Sequence, residues 1–246
     1  MGKIGENLEN HKLKGSNFGY SAIGLKNLGA TEYTIVTIIV DRSTSVGSFV
    51  NELTECLKRI ALACKESKRA DNLLVRIVQF GSTMEEVHGF KLLQNINPAD
   101  YDNAINICGS TALYDASANA ILATLDYGKQ LTEQDYACNA IVIALTDGDD
   151  NQSVLGISAV KDALASAAKN ETLESLVSIL VAVNIADPHM KDRLDLFHKE
   201  AGFTQFVPLA DASAKTMAKL AKFVSDSISS VSQSLQTKAP SQPLTI

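Results

Sequence analysis

Two apolar runs of this chain each end abruptly in a carboxylate, and these runs constrain the fold more than any other feature. The first, TIVTIIV, occupies residues 34–40 and stops at Asp41. The second, AIVIALT, occupies residues 140–146 and stops at Asp147. Continuous runs of β-branched and apolar residues are typical of strands that are covered on both faces of a parallel sheet. Because parallel strands need long crossover connections, we expect helices between such strands.

The rest of the chain supplies these helices and further strands. Apolar residues recur at helical spacing in residues 48–67, in the stretch that follows Gly109, and in residues 154–169, 190–202 (with a stop at Gly202) and 217–235. Further strands are predicted at 72–82, at 85–93 as a shorter hairpin edge, at 175–185, and at 204–210, where Pro208 indicates an edge. This order predicts the α/β class, with a doubly wound, mainly parallel central sheet flanked by helices.

The distribution of strand and helix patterns along the chain predicts one domain with a short extension at each end. Residues 33–236 carry the strand and helix patterns, and α/β domains of about this length are common. Residues 1–32 are rich in Gly and Asn with little periodicity, so we interpret them as an N-terminal extension. Residues 237–246, TKAPSQPLTI, are predicted to be a flexible C-terminal tail.

Charge and cysteine usage exclude several classes of function. The chain has 22 Lys and Arg against 28 Asp and Glu, a formal net charge of −6, which argues against nucleic-acid binding. The four cysteines form no metal-binding spacing and are predicted to be small buried residues in a reducing compartment. No apolar run approaches the roughly 20 residues of a membrane span, and MGKIGENLENHKLKG has no signal-peptide core. We therefore expect a cytoplasmic protein that does not bind membranes.

Hard oxygen donors follow or precede the predicted elements at one edge of the sheet. Asp41, Ser43 and Ser45 alternate after the first strand, Thr111 precedes a helix, and Asp147 follows a central strand. In an open parallel sheet, ligands bind beyond the carboxyl ends of the strands, where the strand order reverses. Ligation by oxygen alone suits Mg²⁺, Mn²⁺ or Ca²⁺ rather than zinc. A single Asp-x-Ser-x-Ser pattern also fits a helix N-cap, so the combination of motifs carries the metal hypothesis.

Three motifs in one order give this pattern its specificity: DRSTS at 41–45, GSTALYDA at 109–116 and LTDGDDN at 145–151. Together they resemble the metal-ion-dependent adhesion site (MIDAS) of the von Willebrand factor A domain family. The resemblance extends over residues 33 to 235 and implies the Rossmann-like fold of that family.

The resemblance also implies a role for each matching residue. Ser43, Ser45 and Thr111 would supply hydroxyl oxygens to a Mg²⁺ or Mn²⁺ ion. Asp41 and Asp147 would balance its charge, directly or through water. The chain departs from the family at Thr44 and Val46, where Gly and Met are frequent, but neither position is a ligand, so we expect an intact site.

The function that the resemblance implies is binding rather than catalysis. The leading hypothesis is an intracellular adaptor whose metal takes an Asp or Glu of a protein partner, and intracellular members of the family accompany ring-forming ATPases or kinase–phosphatase systems. One alternative is a structural assembly subunit in which the metal only stabilises loops. Another is a metal-dependent phosphoryl-transfer hydrolase, but Ser43 stands where aspartyl-phosphate phosphatases have a second Asp, and no Walker A or G-x-S-x-G motif occurs. We predict no enzyme.

Further expectations concern residues outside the five candidate ligands. Asp149 and Asp150 are predicted to be solvated turn residues, whose charge would repel an acidic partner unless they are paired. The four histidines are predicted to lie on the surface or to have satisfied hydrogen bonds. In some members of the family the last helix moves with metal occupancy. The resemblance implies the same hypothesis for the helix predicted at residues 217–235.

Overall fold

A computed structural model of the protein, which describes residues 8–13, 18–169, 172–237 and 244–245, contains an eight-stranded sheet. In chain order its strands are β1 (Leu8–Lys12), β2 (Gly19–Ile23), β3 (Glu32–Asp41), β4 (Leu73–Phe80), β5 (Met84–Leu92), β6 (Ala137–Thr146), β7 (Leu176–Ala182) and β8 (Gln205–Pro208). Across the sheet the order is β1-β2-β5-β4-β3-β6-β7-β8. Strands β4, β3, β6, β7 and β8 are mutually parallel, so the predicted α/β class and doubly wound sheet are confirmed.

The position of β3 in the centre of the sheet explains its predominantly apolar sequence. Strand β3 lies between β4 and β6, with Val36 opposite Val75 on one side and Ile141 on the other. Val36 packs into the core layer on one face of the sheet and Ile39 into the layer on the other face. Because successive side chains of a strand point to opposite faces, a strand covered on both faces carries apolar residues on both of them instead of alternating with polar ones.

Five helices cover the two faces of the sheet: α1 (Val50–Lys65), α2 (Leu113–Thr132), α3 (Ile157–Lys169), α4 (Pro188–Ala201) and α5 (Ala214–Thr237). Apolar residues of α1 and α5 form the core on one face, and those of α2, α3 and α4 form the core on the other. Helix α4 ends at Gly202, whose φ of 85° is the left-handed conformation that glycine adopts at low cost. The predicted stop at Gly202 is therefore confirmed.

The chain ends add to this sheet in two different ways. Strands β1 and β2 form a hairpin, and β2 pairs with β5 at Ala22 and Phe90. Strand β5 forms the predicted hairpin with β4, but the prediction that it lies at an edge is wrong because β2 covers it. Most of the predicted flexible tail lies outside the described residues; within it, the carbonyl of Leu244 accepts a hydrogen bond from Gln205 Nε2 at 2.6 Å.

One histidine of strand β5, His88, is buried. His88 Nδ1 lies 3.0 Å from the carbonyl oxygen of Gly89, and its Nε2 lies 3.1 Å from the hydroxyl of Tyr101. A neutral ring satisfies both contacts, since Nδ1–H then donates to Gly89 and Nε2 accepts from Tyr101. Burial is the main cause that lowers the pKa of His88 to about 4. The prediction of satisfied hydrogen bonds is thus confirmed for His88.

The lowered pKa of His88 predicts a loss of stability in mild acid. Between pH 6.5 and pH 4 the unfolded chain binds a proton at this position that the folded chain does not, so the stability that neutral His88 contributes is lost as pH falls. We expect the free energy of unfolding to fall by about 2 kcal/mol from this residue between pH 7.5 and pH 5. Urea denaturation of wild type and His88→Gln at both pH values measures the difference. An equal pH response in the two proteins would contradict the assignment.

Candidate metal centre

The candidate centre lies where the strand order reverses. The chain runs from β3 to β4 on one side of the sheet and later returns to β6 on the other side, so the crevice opens between the carboxyl ends of β3 and β6. Asp41 ends β3 and is only 1% exposed. Its Oδ1 accepts from the backbone N–H of Ser43 at 2.7 Å, and its Oδ2 accepts from the hydroxyl of Thr146 at 2.6 Å. Burial raises the pKa of Asp41 to about 6, and the nearby charge of Asp147 contributes in the same direction.

Hydroxyl groups connect the two carboxylates. The Oγ atoms of Ser43 and Ser45 lie 3.1 Å apart, and Ser45 Oγ donates to Asp147 Oδ1 at 2.8 Å. Burial also raises the pKa of Asp147. Four of the five predicted side chains therefore form one hydrogen-bonded group at the edge of the sheet, and two of them are carboxylates that make no ion pair with any described residue.

The loop that carries Thr111 is bonded to the loop of the first motif. The N–H and the hydroxyl of Thr44 both donate to the carbonyl of Gly109, at 3.2 and 3.1 Å. Gly109 has a φ of +75°, and a Cβ there would lie 2.3 Å from Ser82 Oγ, so both the backbone conformation and the space favour glycine. Thr111, 4% exposed, follows two residues later. The loop of the second motif is thus fixed against the loop of the first.

The loop after β6 completes the site, and the sequence reasoning missed how it does so. Asn151 Oδ1 accepts from the backbone N–H of Thr111 at 2.8 Å, and the N–H of Asn151 donates back to the Thr111 carbonyl at 3.0 Å. Asp150 Oδ1 accepts from the N–H of Leu113, at the first residue of α2, at 3.1 Å. A carboxylate at a helix N-terminus satisfies a donor that the helix leaves free. These contacts tie the third motif to the second.

The prediction that Asp149 and Asp150 are solvated turn residues is therefore wrong. Asp149 is largely buried and forms an ion pair with Arg193 of α4. Asp150 accepts from the backbone N–H groups of Leu113 and Ser153. The Asx-rich segment DGDDN is a sequence signal for side chains that accept from backbone N–H groups, and it could have suggested the role of Asp150. No local signal identifies the partner of Asp149, because Arg193 lies 44 positions further along the chain in a different element.

The same loop also delays the start of the following helix. Asp115 accepts from the N–H groups of Val154 and Leu155, at 3.1 and 2.9 Å, and its own N–H donates to Ser153 Oγ. These reciprocal bonds hold residues 153–155 against the first turn of α2. Helix α3 therefore begins at Ile157 rather than at the predicted position 154, and Val154 is 94% exposed instead of lying on the apolar face of the helix.

The donor set fits a hard divalent cation. All five side chains offer oxygen, and the carboxylates of buried Asp41 and half-buried Asp147 have raised pKa values that a nearby positive charge would lower again. Within the described ranges no group of three or more His, Cys, Asp or Glu is placed to hold a metal. A centre at this edge therefore depends on the hydroxyls of Ser43, Ser45 and Thr111 as well as on the two carboxylates.

The contact between Asn151 and Thr111 predicts an effect on metal affinity without the loss of any proposed ligand. In Asn151→Ala the N–H of Thr111 loses its side-chain acceptor, so the loop that carries the Thr111 hydroxyl is less well positioned. We expect Mg²⁺ to bind about tenfold more weakly, measured by isothermal titration calorimetry. Gln152→Ala is the matched control, because Gln152 is the exposed neighbour in the same loop. Equal weakening in both variants would show that the contact has no specific role.

Comparison with known families identifies the domain. The model of the von Willebrand factor type A domain matches residues 36–222, about three quarters of the chain. The protein belongs to the von Willebrand factor type A domain family. Among curated protein sequences, none matches this chain.

Solved structures with the same fold come from proteins that are very different in sequence. The PilB minor pilin of Streptococcus sanguinis superposes with a TM-score of 0.58 at 15% identity, over 86% of this chain and 64% of that one. The pilus adhesin SpaC of Lactobacillus rhamnosus GG gives 0.56 at 12% identity, over 82% and 30%. Proximal thread matrix protein 1 of the mussel byssus, with a zinc-occupied MIDAS motif, gives 0.50 at 18% identity, over 82% and 46%. The chain thus spans less than two thirds of each of these proteins.

In the part of the chain that the structure describes, no helix is both long and apolar enough to cross a membrane.

Proposed function

We propose that this protein is a metal-dependent protein-interaction module that binds an acidic residue of a partner through a divalent cation at the candidate centre. The observation that carries the proposal is the connected group of Asp41, Ser43, Ser45 and Asp147 at the topological switch point of the sheet. Mg²⁺ or Mn²⁺ is the proposed cation, since both accept an oxygen-only donor set. When bound, the cation would supply an electrophilic position for an oxygen of the partner's carboxylate.

The residues of the chain have separate tasks in this proposal. Asp41 and Asp147 supply two negative charges, which balance a divalent cation without exceeding its charge. The hydroxyls of Ser43, Ser45 and Thr111 are neutral and weak donors, so they hold the ion but leave it electrophilic, with a position open to an oxygen of the partner. Asn151 positions Thr111. A partner that presents Asp or Glu therefore completes the coordination of the cation.

Membership of the family and the similar structures support an interaction role. The similar structures include a pilus adhesin and a byssal matrix protein whose MIDAS motif is occupied by zinc, which is consistent with a metal-occupied site on the same fold. A cytoplasmic adaptor that works beside a ring-forming ATPase or a kinase–phosphatase system is the specific form we propose.

A catalytic role is disfavoured by the environment of Asp41. A nucleophilic carboxylate must reach the substrate, but Asp41 is buried and both of its oxygens already accept hydrogen bonds, from Ser43 N and Thr146 Oγ1. We therefore propose that the site binds and does not hydrolyse.

A pull-down from native lysate tests this function. Immobilised wild-type protein is expected to retain partner proteins with Mg²⁺ and to lose them with EDTA, and Asp147→Ala is expected to lose them under both conditions. Asp211→Asn is the control, because Asp211 is an exposed carboxylate in the loop before α5. Partners that bind Asp147→Ala as well as wild type, or that ignore EDTA, would contradict the proposal and favour a purely structural subunit.

A further inference from the structure

Two exposed apolar side chains lie on the loops that surround the candidate centre. The described part of the chain contains four exposed large hydrophobic residues, and two of them, Val154 and Ile107, belong to these loops. Single exposed apolar residues are common on protein surfaces and need no explanation. These two differ from single exposed residues because each lies in a loop beside the candidate centre, and backbone hydrogen bonds to other elements hold that loop in place.

Val154 borders the centre on the side of α2 and α3. Its N–H donates to Asp115 Oδ2 at 3.1 Å, and the preceding residue, Ser153, donates to Asp150. The loop backbone is thus fixed on both sides of Val154, while the side chain is 94% exposed. A partner that buries this side chain would not have to order the loop first, which removes one cost of binding.

Ile107 borders the centre on the side of α1. The N–H of Asn106 donates to Gln79 Oε1 at 2.9 Å, and the N–H of Cys108 donates to the carbonyl of Arg42 at 2.8 Å. A Cβ on Gly47 would lie 3.7 Å from Ile107 Cγ2, so Ile107 lies beside the loop that carries Ser43 and Ser45. Its side chain is 37% exposed. One fixed apolar residue therefore lies in the loop before α2 and another in the loop before α3.

The charges around the centre are compatible with an acidic segment. The two rim carboxylates, Asp149 and Asp150, are occupied by Arg193 and by backbone N–H groups. The guanidinium of Arg193 is well exposed beyond its contact with Asp149. A carboxylate approaching the cation thus meets Asp149 already paired with Arg193 and Asp150 held by backbone N–H groups, and the surface beside it is apolar at two points.

We propose that the partner segment carries apolar side chains next to its metal-binding carboxylate, and that Val154 and Ile107 contact them. This inference rests on the proposed function, since it names the partner of the same site. A partner with a carboxylate between apolar residues binds more tightly than one with the same carboxylate between polar residues, because only the former buries Val154 and Ile107.

The test uses two short capped peptides, one with a Glu between two Leu residues and one with a Glu between two Ser residues. Each is titrated into ¹⁵N-labelled full-length protein with saturating Mg²⁺, and amide shifts of residues 41–47, 107–111 and 147–155 report binding, including weak binding. We expect the Leu-flanked peptide to bind at least tenfold more tightly to wild type, and Val154→Ser to reduce that preference several-fold. Leu62→Ser, an exposed apolar residue near the far end of α1, is the control.

The outcomes separate this inference from the proposed function. Equal affinities for the two peptides, or a Val154→Ser variant that keeps the full preference, would overturn the inference and leave the metal-dependent site intact. No shift at the centre with either peptide would overturn both. Val154→Ser must also bind Mg²⁺ as wild type does, because a loss of Mg²⁺ affinity would assign Val154 to the metal loop instead of to the partner.

Discussion

Replacing Asp41 with Asn is expected to stabilise the metal-free protein and to abolish its response to Mg²⁺. Burial raises the pKa of Asp41 to about 6, so at pH 7.5 the folded protein holds a carboxylate that its surroundings disfavour. The amide keeps an acceptor for the N–H of Ser43 and offers a donor to Thr146 Oγ1, whose own proton can go to the carbonyl of Gly148 at 2.8 Å. We expect a gain of about 1–3 kcal/mol in the free energy of unfolding in EDTA.

The pH dependence of this gain has a definite sign. A carboxyl group whose folded pKa is raised contributes stability that is present below its unfolded pKa, near 3.8, and is lost as pH rises through about 6. The advantage of Asp41→Asn over wild type is therefore largest above pH 7 and falls by roughly half at pH 5. Urea denaturation in EDTA at both pH values measures it. An Asp41→Asn variant that is less stable than wild type at pH 7.5 would contradict this account of the site.

The metal response is measured on the same two proteins. A ligand that binds only the folded state at a hundred times its dissociation constant stabilises that state by about 2.7 kcal/mol. We expect Mg²⁺ to raise the melting temperature of wild type by about 5–10 °C under that condition and to leave Asp41→Asn unchanged. An equal shift in both proteins would place the Mg²⁺ site elsewhere. A preformed metal site generally lowers the stability of the metal-free protein, and in return it binds the metal.

Replacing Glu86 with Ala is expected to cause the largest loss of stability. Arg76, on β4, is only 1% exposed, and its Nε donates to Glu86 Oε1 at 2.6 Å. Glu86 also accepts from the N–H of Ser21, at 3.1 Å, and from its hydroxyl, at 2.6 Å, which attaches the β1–β2 hairpin to the sheet. Removing one partner of a buried ion pair leaves the other charge uncompensated and costs about 3–5 kcal/mol. Chemical denaturation measures this cost directly.

Two comparisons test the cause of this loss. Glu55→Ala removes an exposed carboxylate that pairs with Lys58 on α1, and we expect a change within about 0.5 kcal/mol. The double variant Arg76→Leu with Glu86→Leu removes both charges beside the ring of Phe90, over which the guanidinium lies at 5.6 Å, and is expected to be more stable than Glu86→Ala. A cost below about 1 kcal/mol for Glu86→Ala would show that Arg76 does not depend on Glu86.

The sequence predicted those features that depend on local pattern. The apolar runs that end at Asp41 and Asp147 correctly indicate strands covered on both faces, because Val36 and Ile141 pack into the core layer on one face and Ile39 and Val142 into the layer on the other. Parallel strands with crossovers place their carboxyl ends at one edge, so the convergence of Asp41, Ser43, Ser45 and Asp147 follows from topology. The strand at the start of the chain carries no such pattern: LENHK, with its mixed polar residues, forms β1 only as the partner of β2.

The features that could not be predicted depend on contacts between distant residues. Asp149 and Asp150 have the composition of a solvated turn, and only the positions of Arg193 and the N-terminus of α2 give them partners. Likewise, Val154 continues the apolar spacing of α3, but the backbone N–H groups of Val154 and Leu155 donate to the Asp115 carboxylate. These hydrogen bonds compete with helix formation at residues 154 and 155. Strand β5 reads as an edge because nothing local shows that β2 will cover it.

The most direct test of the central claim is to locate the cation on the protein in solution. Mn²⁺ is added in substoichiometric amounts to ¹⁵N-labelled protein, and its paramagnetism broadens the amide signals of nearby residues. We predict selective broadening at Ser43, Ser45, Thr111 and Asp147, which is reversed by excess Mg²⁺ and absent in Asp41→Asn. Broadening confined to other parts of the surface, or uniform over the chain, would contradict a metal centre at the carboxyl ends of β3 and β6.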